Sequence, residues 1–224
     1  MSNTYPYYPI LMNIREQACL VIGGGRVAFR KIKSLLQAGA HVTVISPEAV
    51  SEVIKMAENG SITFQPRSYQ SGDMAGFRLV FAATDNRAVN EACRNEAEER
   101  GILLNVVDVP DLCNFIMPAV HRQGDLMLMA SSQGSSPMMA KRIRREFQER
   151  YGPEYAVVTS IMGEFRLKAF TDLPDISHRK ALFHYLVEEG PVDEALKLPE
   201  SDARQLLKTA YEQYVTMKHK EVSK

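Results

Sequence analysis

The sequence predicts an α/β fold. A doubly wound parallel sheet occupies the first half, and a small α+β segment and a mainly helical end follow it. Three observations carry this reading. Short runs rich in Val, Ile and Leu alternate with stretches of helical spacing as far as about residue 113. The first such run ends in consecutive glycines that open a helix. Beyond residue 153 nearly everything has helical character, broken near Asp172-Leu173-Pro174, Glu189-Gly190-Pro191 and Leu198-Pro199.

Taken in order, ACLVIG at 18–23 reads as a buried strand. RVAFRKIKSLLQA at 26–38 follows as a helix, with Val27, Ile32, Leu35 and Leu36 apolar and Arg30, Lys31 and Lys33 on the solvated side. Gly39 ends it. HVTVI at 41–45 is a second strand, stopped by Ser46-Pro47. These pieces form a βαβ unit. A helix at 48–58, a short strand at 62–65 and a strongly apolar strand at 79–83 come next. A helix at 86–100, with Asp85 or Asn86 as cap, and a strand at 102–107 complete the half. Strands alternating with helices argue a parallel sheet covered on both faces. Past residue 113 the pattern changes. FIMPAV at 115–120 and DLMLMAS at 125–131 read as strands around a turn at Gln123-Gly124, and Ser136-Pro137 starts a helix over 137–150.

Composition narrows the function. Lys plus Arg and Asp plus Glu both number 27, so the net charge is +0. This argues against a nucleic-acid binder with one dominant basic surface. Cys19, Cys93 and Cys113 lack C-x-x-C spacing and read as reduced thiols, two in the core and one in a loop, with no metal site. The five histidines show no ligand spacing, and His121 reads as a loop or surface residue. MSNTYPYYPI has neither a basic nor an apolar signal region. No apolar run approaches the ~20 residues of a bilayer span, so a cytoplasmic protein without membrane contact is expected.

Gly23-Gly24-Gly25-Arg26-Val27-Ala28 fits the G-x-G-x-x-G/A pattern of a Rossmann-like dinucleotide site. Gly23 permits the tight turn, Gly25 lets backbone approach a pyrophosphate, and Ala28 allows close helix–strand packing. The helix start offers free N–H groups to phosphate. The ribose-binding acid normally ends the second strand, but Ser46 stands there and Glu48 lies two places on. With no arginine close in sequence, NAD is favoured modestly over NADP. Thr84, in the small-residue turn after the strand at 79–83, is a cofactor contact or a helix cap. Asn105 and Asp108 sit at the carboxyl end of the strand at 102–107, where a carboxylate can accept a proton or hold a substrate N–H. The other reading of Asp108 and Pro110 is a turn that only directs the chain.

GGGRVA, AATDN, NVVDVP, FIMPA and SSQGSSPMMAKRIR, in this order, closely resemble the precorrin-2 dehydrogenase family, the dehydrogenase or dehydrogenase–ferrochelatase part of siroheme synthases. The resemblance covers residues 7–150 well and the tail in general character. It implies oxidation of precorrin-2 to sirohydrochlorin, with NAD⁺ taking the hydride. Gly23, Gly24, Gly25, Arg26 and Val27 would touch the cofactor, with Ser46, Pro47 and Glu48 near its adenosine. Asp108 matches the aspartate implicated in dehydrogenation and, in bifunctional members, metal insertion, and Asn105 shares its motif. Ser132 matches a serine phosphorylated in some fused enzymes. Without the methyltransferase part of those enzymes, the chain resembles the stand-alone form.

The polycarboxylate substrate of that family needs cations. Residues 115–152 carry six basic and three acidic residues, while the flanking parts are slightly acidic. Lys141, Arg142 and Arg145 are the candidate substrate contacts and Ser132 a further one. A solvated helix face is the plainer reading of the basic run. The expected division is a dinucleotide-binding domain at 1–114, a dimerisation and substrate segment at 115–150 and a helical domain at 151–224. A homodimer is expected by resemblance. The rival reading is a dinucleotide-sensing regulatory module without chemistry; Ser46 and the NVVDVP strand argue against it.

Overall fold

The computed structural model describes residues 7–222, so most of the N-terminal stretch read for a signal region lies outside the described residues. The chain divides into two compact units, residues 1–117 and 118–224.

The first unit holds a five-stranded parallel sheet in the order β3-β2-β1-β4-β5. Its strands are β1 (Ala18–Ile22), β2 (His41–Ile45), β3 (Thr63–Gln65), β4 (Leu79–Ala82) and β5 (Leu103–Val106). Helices α1 (Arg26–Gln37), α2 (Ser51–Glu58) and α3 (Arg87–Arg100) connect them. Alternate residues of β1 serve two cores. Cys19 and Val21 join Ile32 and Leu35 of α1 and Val53 of α2, whereas Leu20 and Ile22 join Cys93 and Ala97 of α3. A sheet buried on both faces therefore needs the continuous apolar runs seen in the sequence. Burial pushes the Cys19 thiol up to about 11 and the Cys93 thiol up to about 12.

The strand expected at 115–120 begins only at Ala119. Residues before it are otherwise engaged. Asn114 covers the free edge of β5: its N–H donates to Leu104 O, its Oδ1 accepts from Leu104 N and its Nδ2 donates to Ile102 O. Phe115 packs edge-on against Phe81, with ring centroids 5.6 Å apart. Pro118 has no N–H for a ladder. Asn114 thus protects a sheet edge that would otherwise present unpaired backbone groups.

In the second unit β6 (Ala119–Gln123) and β7 (Leu126–Ala130) form an antiparallel hairpin. Gln123 pairs with Leu126, so the turn is Gly124-Asp125, one residue later than expected, with Gly124 at φ +54°. Helices α4 (Pro137–Arg150), α5 (Pro153–Asp172), α6 (Ile176–Glu188), α7 (Pro191–Ala195) and α8 (Glu200–Val222) follow. His121, expected in a loop or at the surface, is buried on β6 and bonds through Nε2 to Tyr151 O at 2.8 Å. Its place on the inward face of the hairpin explains the difference. Val158, Ile161, Phe165, Leu182, Leu186, Leu207 and Tyr211 form the helical core. Leu167 and Phe170 lie outside it, exposed. Among the described residues no helix is long and apolar enough to cross a membrane.

Candidate functional site

In a parallel sheet every carboxyl end lies along one edge. Sequence order reverses between β1 and β4, because β2 and β3 lie on one side of β1 and β4 and β5 on the other. Ligands of such sheets bind outside the strand ends at that reversal. The predicted residues Gly23–Val27, Ser46–Glu48, Thr84 and Asp108 all follow strands on this edge.

The three glycines do different work. Gly23 has φ +117°, and a Cβ there would stand 2.2 Å from Ala83 O. Its N–H donates to Ile45 O at 2.9 Å, which ties the turn to β2. Gly24, expected at the cofactor, is buried against the chain after β2, where a Cβ would stand 2.2 Å from Glu48 O. Gly25 is exposed with ordinary backbone angles, φ −79° and ψ −176°, and a Cβ there would meet nothing within 4 Å. It precedes α1, whose N-terminus has no side-chain cap and no acidic residue in its first turn. Ala28 is fully buried beneath the turn. The helix start is therefore left for an external anion, and the residues fit a dinucleotide pyrophosphate.

This contrast sets a prediction. Gly25→Ala should fold with unchanged thermal stability but lose about ten- to hundredfold in dinucleotide affinity, since crowding a packed contact costs roughly 1–3 kcal/mol. Gly23→Ala should instead lower the melting temperature, because strain and backbone overlap act in the unliganded protein. Melting curves and titrations of both variants separate the two roles.

Ser46 is buried and donates its hydroxyl to Glu48 O at 2.6 Å, so it shapes the turn that carries Pro47 and the exposed Glu48. The sequence places no arginine nearby, yet the sheet brings Arg67 to the same edge, two residues beyond β3. Its guanidinium is already engaged by both carboxylate oxygens of Asp73, at 2.6 and 2.8 Å, and by Gln65 Oε1.

On the other side of the reversal lies a cleft of about 560 Å³. Val27 of α1, Thr84 after β4 and Asp108 after β5 line it together, with Asn90 of α3. Asp108 is exposed and has φ +60°, a left-handed conformation that Asp adopts more readily than most residues. The loop that imposes this conformation is fixed from behind. Cys113 Sγ accepts from Val106 N at 3.1 Å and lies 3.2 Å from Val106 O as donor. Asn105 turns its amide into the same loop, donating to Phe115 O at 3.1 Å. Asn105 thus braces the segment carrying Asp108 and is not among the residues lining the cleft.

Lys31, expected on the solvated side of α1, is partly buried, its Nζ 5.0 Å from the Phe81 ring centroid. Burial chiefly holds its ammonium below the usual lysine range; Arg30 adds to this, and Asp108 and Cys113 act against it. Its position one residue before buried Ile32 was the available signal.

Ser132, Lys141, Arg142 and Arg145 belong to the second unit. Ser132 Oγ accepts from Ser136 N at 2.8 Å and shapes the turn before α4. Lys141, Arg142 and Arg145 are exposed, and Arg142 pairs with Glu146 at 3.1 Å.

The strand order and the glycine turn fit a dinucleotide, and residues 10–119 match the family NAD_binding_7, described as "Putative NAD(P)-binding". Siroheme synthase of Methylococcus capsulatus is 35% identical over 201 residues, covering 90% of this chain and 42% of that protein. Siroheme synthase of Chromobacterium violaceum is 37% identical over 190 residues, covering 85% and 40%. The chain thus spans about two fifths of the length of these relatives. A solved structure titled "SirC, precorrin-2 dehydrogenase" superposes with a TM-score of 0.77 at 24% identity, over 92% of this chain and 100% of that one, and shares the fold. The chain is thus similar to these siroheme synthases over the part of them that it spans, and its fold is that of the solved structure.

Proposed function

We propose that the protein oxidises precorrin-2 to sirohydrochlorin with NAD⁺. The observation that carries this reading is the cleft that joins the glycine-turn helix, through Val27, to Asp108. When bound, the nicotinamide accepts a hydride from a ring carbon of the substrate. The chain's own groups do the rest. The N–H groups at the start of α1 hold the pyrophosphate. The apolar side chains of Val27 and Leu112 exclude water from one side of the cleft. The Asp108 carboxylate takes the proton that leaves a pyrrole nitrogen, so the substrate loses one hydride and one proton. Asn105 and Cys113 keep Asp108 in place. Lys141, Arg142 and Arg145, with Ser132, are the proposed contacts for substrate carboxylates.

NAD⁺ is the proposed cofactor rather than NADP⁺. Glu48 puts a negative charge where a 2′-phosphate would lie, and the nearby Arg67 is already paired with Asp73. NAD⁺ should support faster turnover, and Glu48→Gln should narrow its advantage over NADP⁺ severalfold. A cytoplasmic homodimer is proposed, with exposed Leu167, Phe170 and Met129 as apolar groups available to a second copy. The reading is tested with purified protein, precorrin-2 and NAD⁺. NADH absorbance should grow in step with sirohydrochlorin, whereas tight dinucleotide binding without turnover would favour a sensing module. Adding Fe²⁺ or Co²⁺ to sirohydrochlorin in the same preparation tests metal insertion.

A further inference from the structure

Asn90 is 4% exposed and lies on the first turns of α3. Its Nδ2 donates to Thr84 O at 3.1 Å, which fixes the amide's orientation. Its Oδ1 then points away from that bond and has no hydrogen-bond partner; among the described residues it is the one buried side-chain oxygen or nitrogen in that condition. A buried carbonyl without a donor is costly and uncommon in folded proteins. Asn90 also lines the cleft. The charged groups beside it sharpen the chemistry. Asp85, Asp108 and Asp111 line the cleft too, while its one arginine, Arg87, is paired with Glu91 at 2.8 Å. A ligand that suits these walls offers N–H donors and carries no negative charge.

We propose that Asn90 Oδ1 is the acceptor for the carboxamide N–H of the nicotinamide, so that this residue reads the amide of the cofactor. The inference rests on the dinucleotide reading above. With pyrophosphate at the start of α1 and adenosine toward Ser46–Glu48, the other half of the dinucleotide extends to the β4–β5 side, where the cleft lies. The positively charged ring of the oxidised cofactor suits the carboxylates, and its amide supplies the donor that Asn90 lacks. Asn90→Leu removes the acceptor while keeping a side chain of similar size.

The test is calorimetric titration of the full chain with three probes: NAD⁺, its 3-acetylpyridine analogue, in which a methyl replaces the amide nitrogen, and ADP-ribose, which lacks the ring. Wild-type protein should bind NAD⁺ about tenfold more tightly than the acetylpyridine analogue, the effect of leaving one buried acceptor unpaired. Asn90→Leu should bind the two within about twofold of each other while ADP-ribose affinity stays unchanged. Equal affinities in the wild type overturn the proposal without any variant, and so does full discrimination retained by Asn90→Leu. If Asn90→Leu fails to fold, Asn90→Ala serves in its place, and the wild-type comparison decides alone. Absence of binding by all three probes would overturn the dinucleotide reading and this proposal together. Binding of ADP-ribose and NAD⁺ without amide discrimination would remove only this one.

Discussion

Asp108→Asn should fold normally, bind dinucleotide with near wild-type affinity and lose roughly 10²–10⁴-fold in NADH formation with precorrin-2, the range for loss of a positioned proton acceptor. Asparagine is the informative replacement because of the backbone. At φ +60° most side chains are strained, but asparagine is enriched there as aspartate is. It fills the same volume and cannot take up a proton. Asp108→Ala adds roughly 1–2 kcal/mol of left-handed strain and so mixes a backbone effect with a chemical one. Two measurements complete the experiment. A melting curve checks the fold, and a dinucleotide titration checks the cleft. Turnover by Asp108→Asn within a few-fold of wild type would assign the proton to water and leave Asp108 a positioning role. The lysine beside it makes a second comparison useful. Lys31→Met keeps most of the stem that packs on Phe81 and removes the positive charge, so a change in the pH profile of turnover would report their coupling.

How much of this was readable from sequence depends on the range of the interactions involved. The β1–α1–β2 unit was legible almost to the residue, since apolar runs, a glycine turn and a C-terminal glycine are local signals. The edge-directed placement of Gly25, Thr84 and Asp108 followed from strand order alone. What failed depended on contacts between distant segments. The 115–120 run is apolar, but Asn114 and Phe115 are used up on β5 and Phe81 before β6 begins. Asn105 shares the motif of Asp108, and only the fold shows that its amide donates into the loop, to Phe115 O. Arg67 was invisible as a neighbour of the cofactor edge because only parallel pairing of β3 with β2 brings it there. The sequence did contain one overlooked signal. Residues 90, 93, 96 and 97 share the buried face of α3, and two of them, Asn90 and Glu96, are polar. A polar residue on an apolar stripe asks for a partner.

Glu96 has its partners, and its replacement should cause the largest loss of stability in the first unit. The side chain is 4% exposed, and each carboxylate oxygen accepts twice. Oε2 takes the Tyr69 hydroxyl at 2.5 Å and Gly72 N at 2.8 Å, and Oε1 takes Met74 N at 3.2 Å and Arg100 Nε at 3.0 Å. Burial and the bond to Glu96 push the Tyr69 hydroxyl well above the usual tyrosine range, which keeps it a donor. These bonds clamp the segment between β3 and β4 onto α3 and bury Met74 in the core. Four donors facing two oxygens leave no place for an amide N–H₂. Glu96→Gln should therefore cost about 1–3 kcal/mol although it preserves shape. Glu96→Ala, which leaves Arg100 and three other donors unanswered, should cost roughly 3–5 kcal/mol, or about 10 °C in melting temperature. Asn90 lies in the N-terminal part of α3 and Thr84 just before that helix, so the folded fraction of either variant should keep its affinity for NAD⁺. Loss of affinity in step with stability would show instead that the clamp and the cleft act as one unit. A glutamine variant as stable as wild type would show that the four donors find other partners.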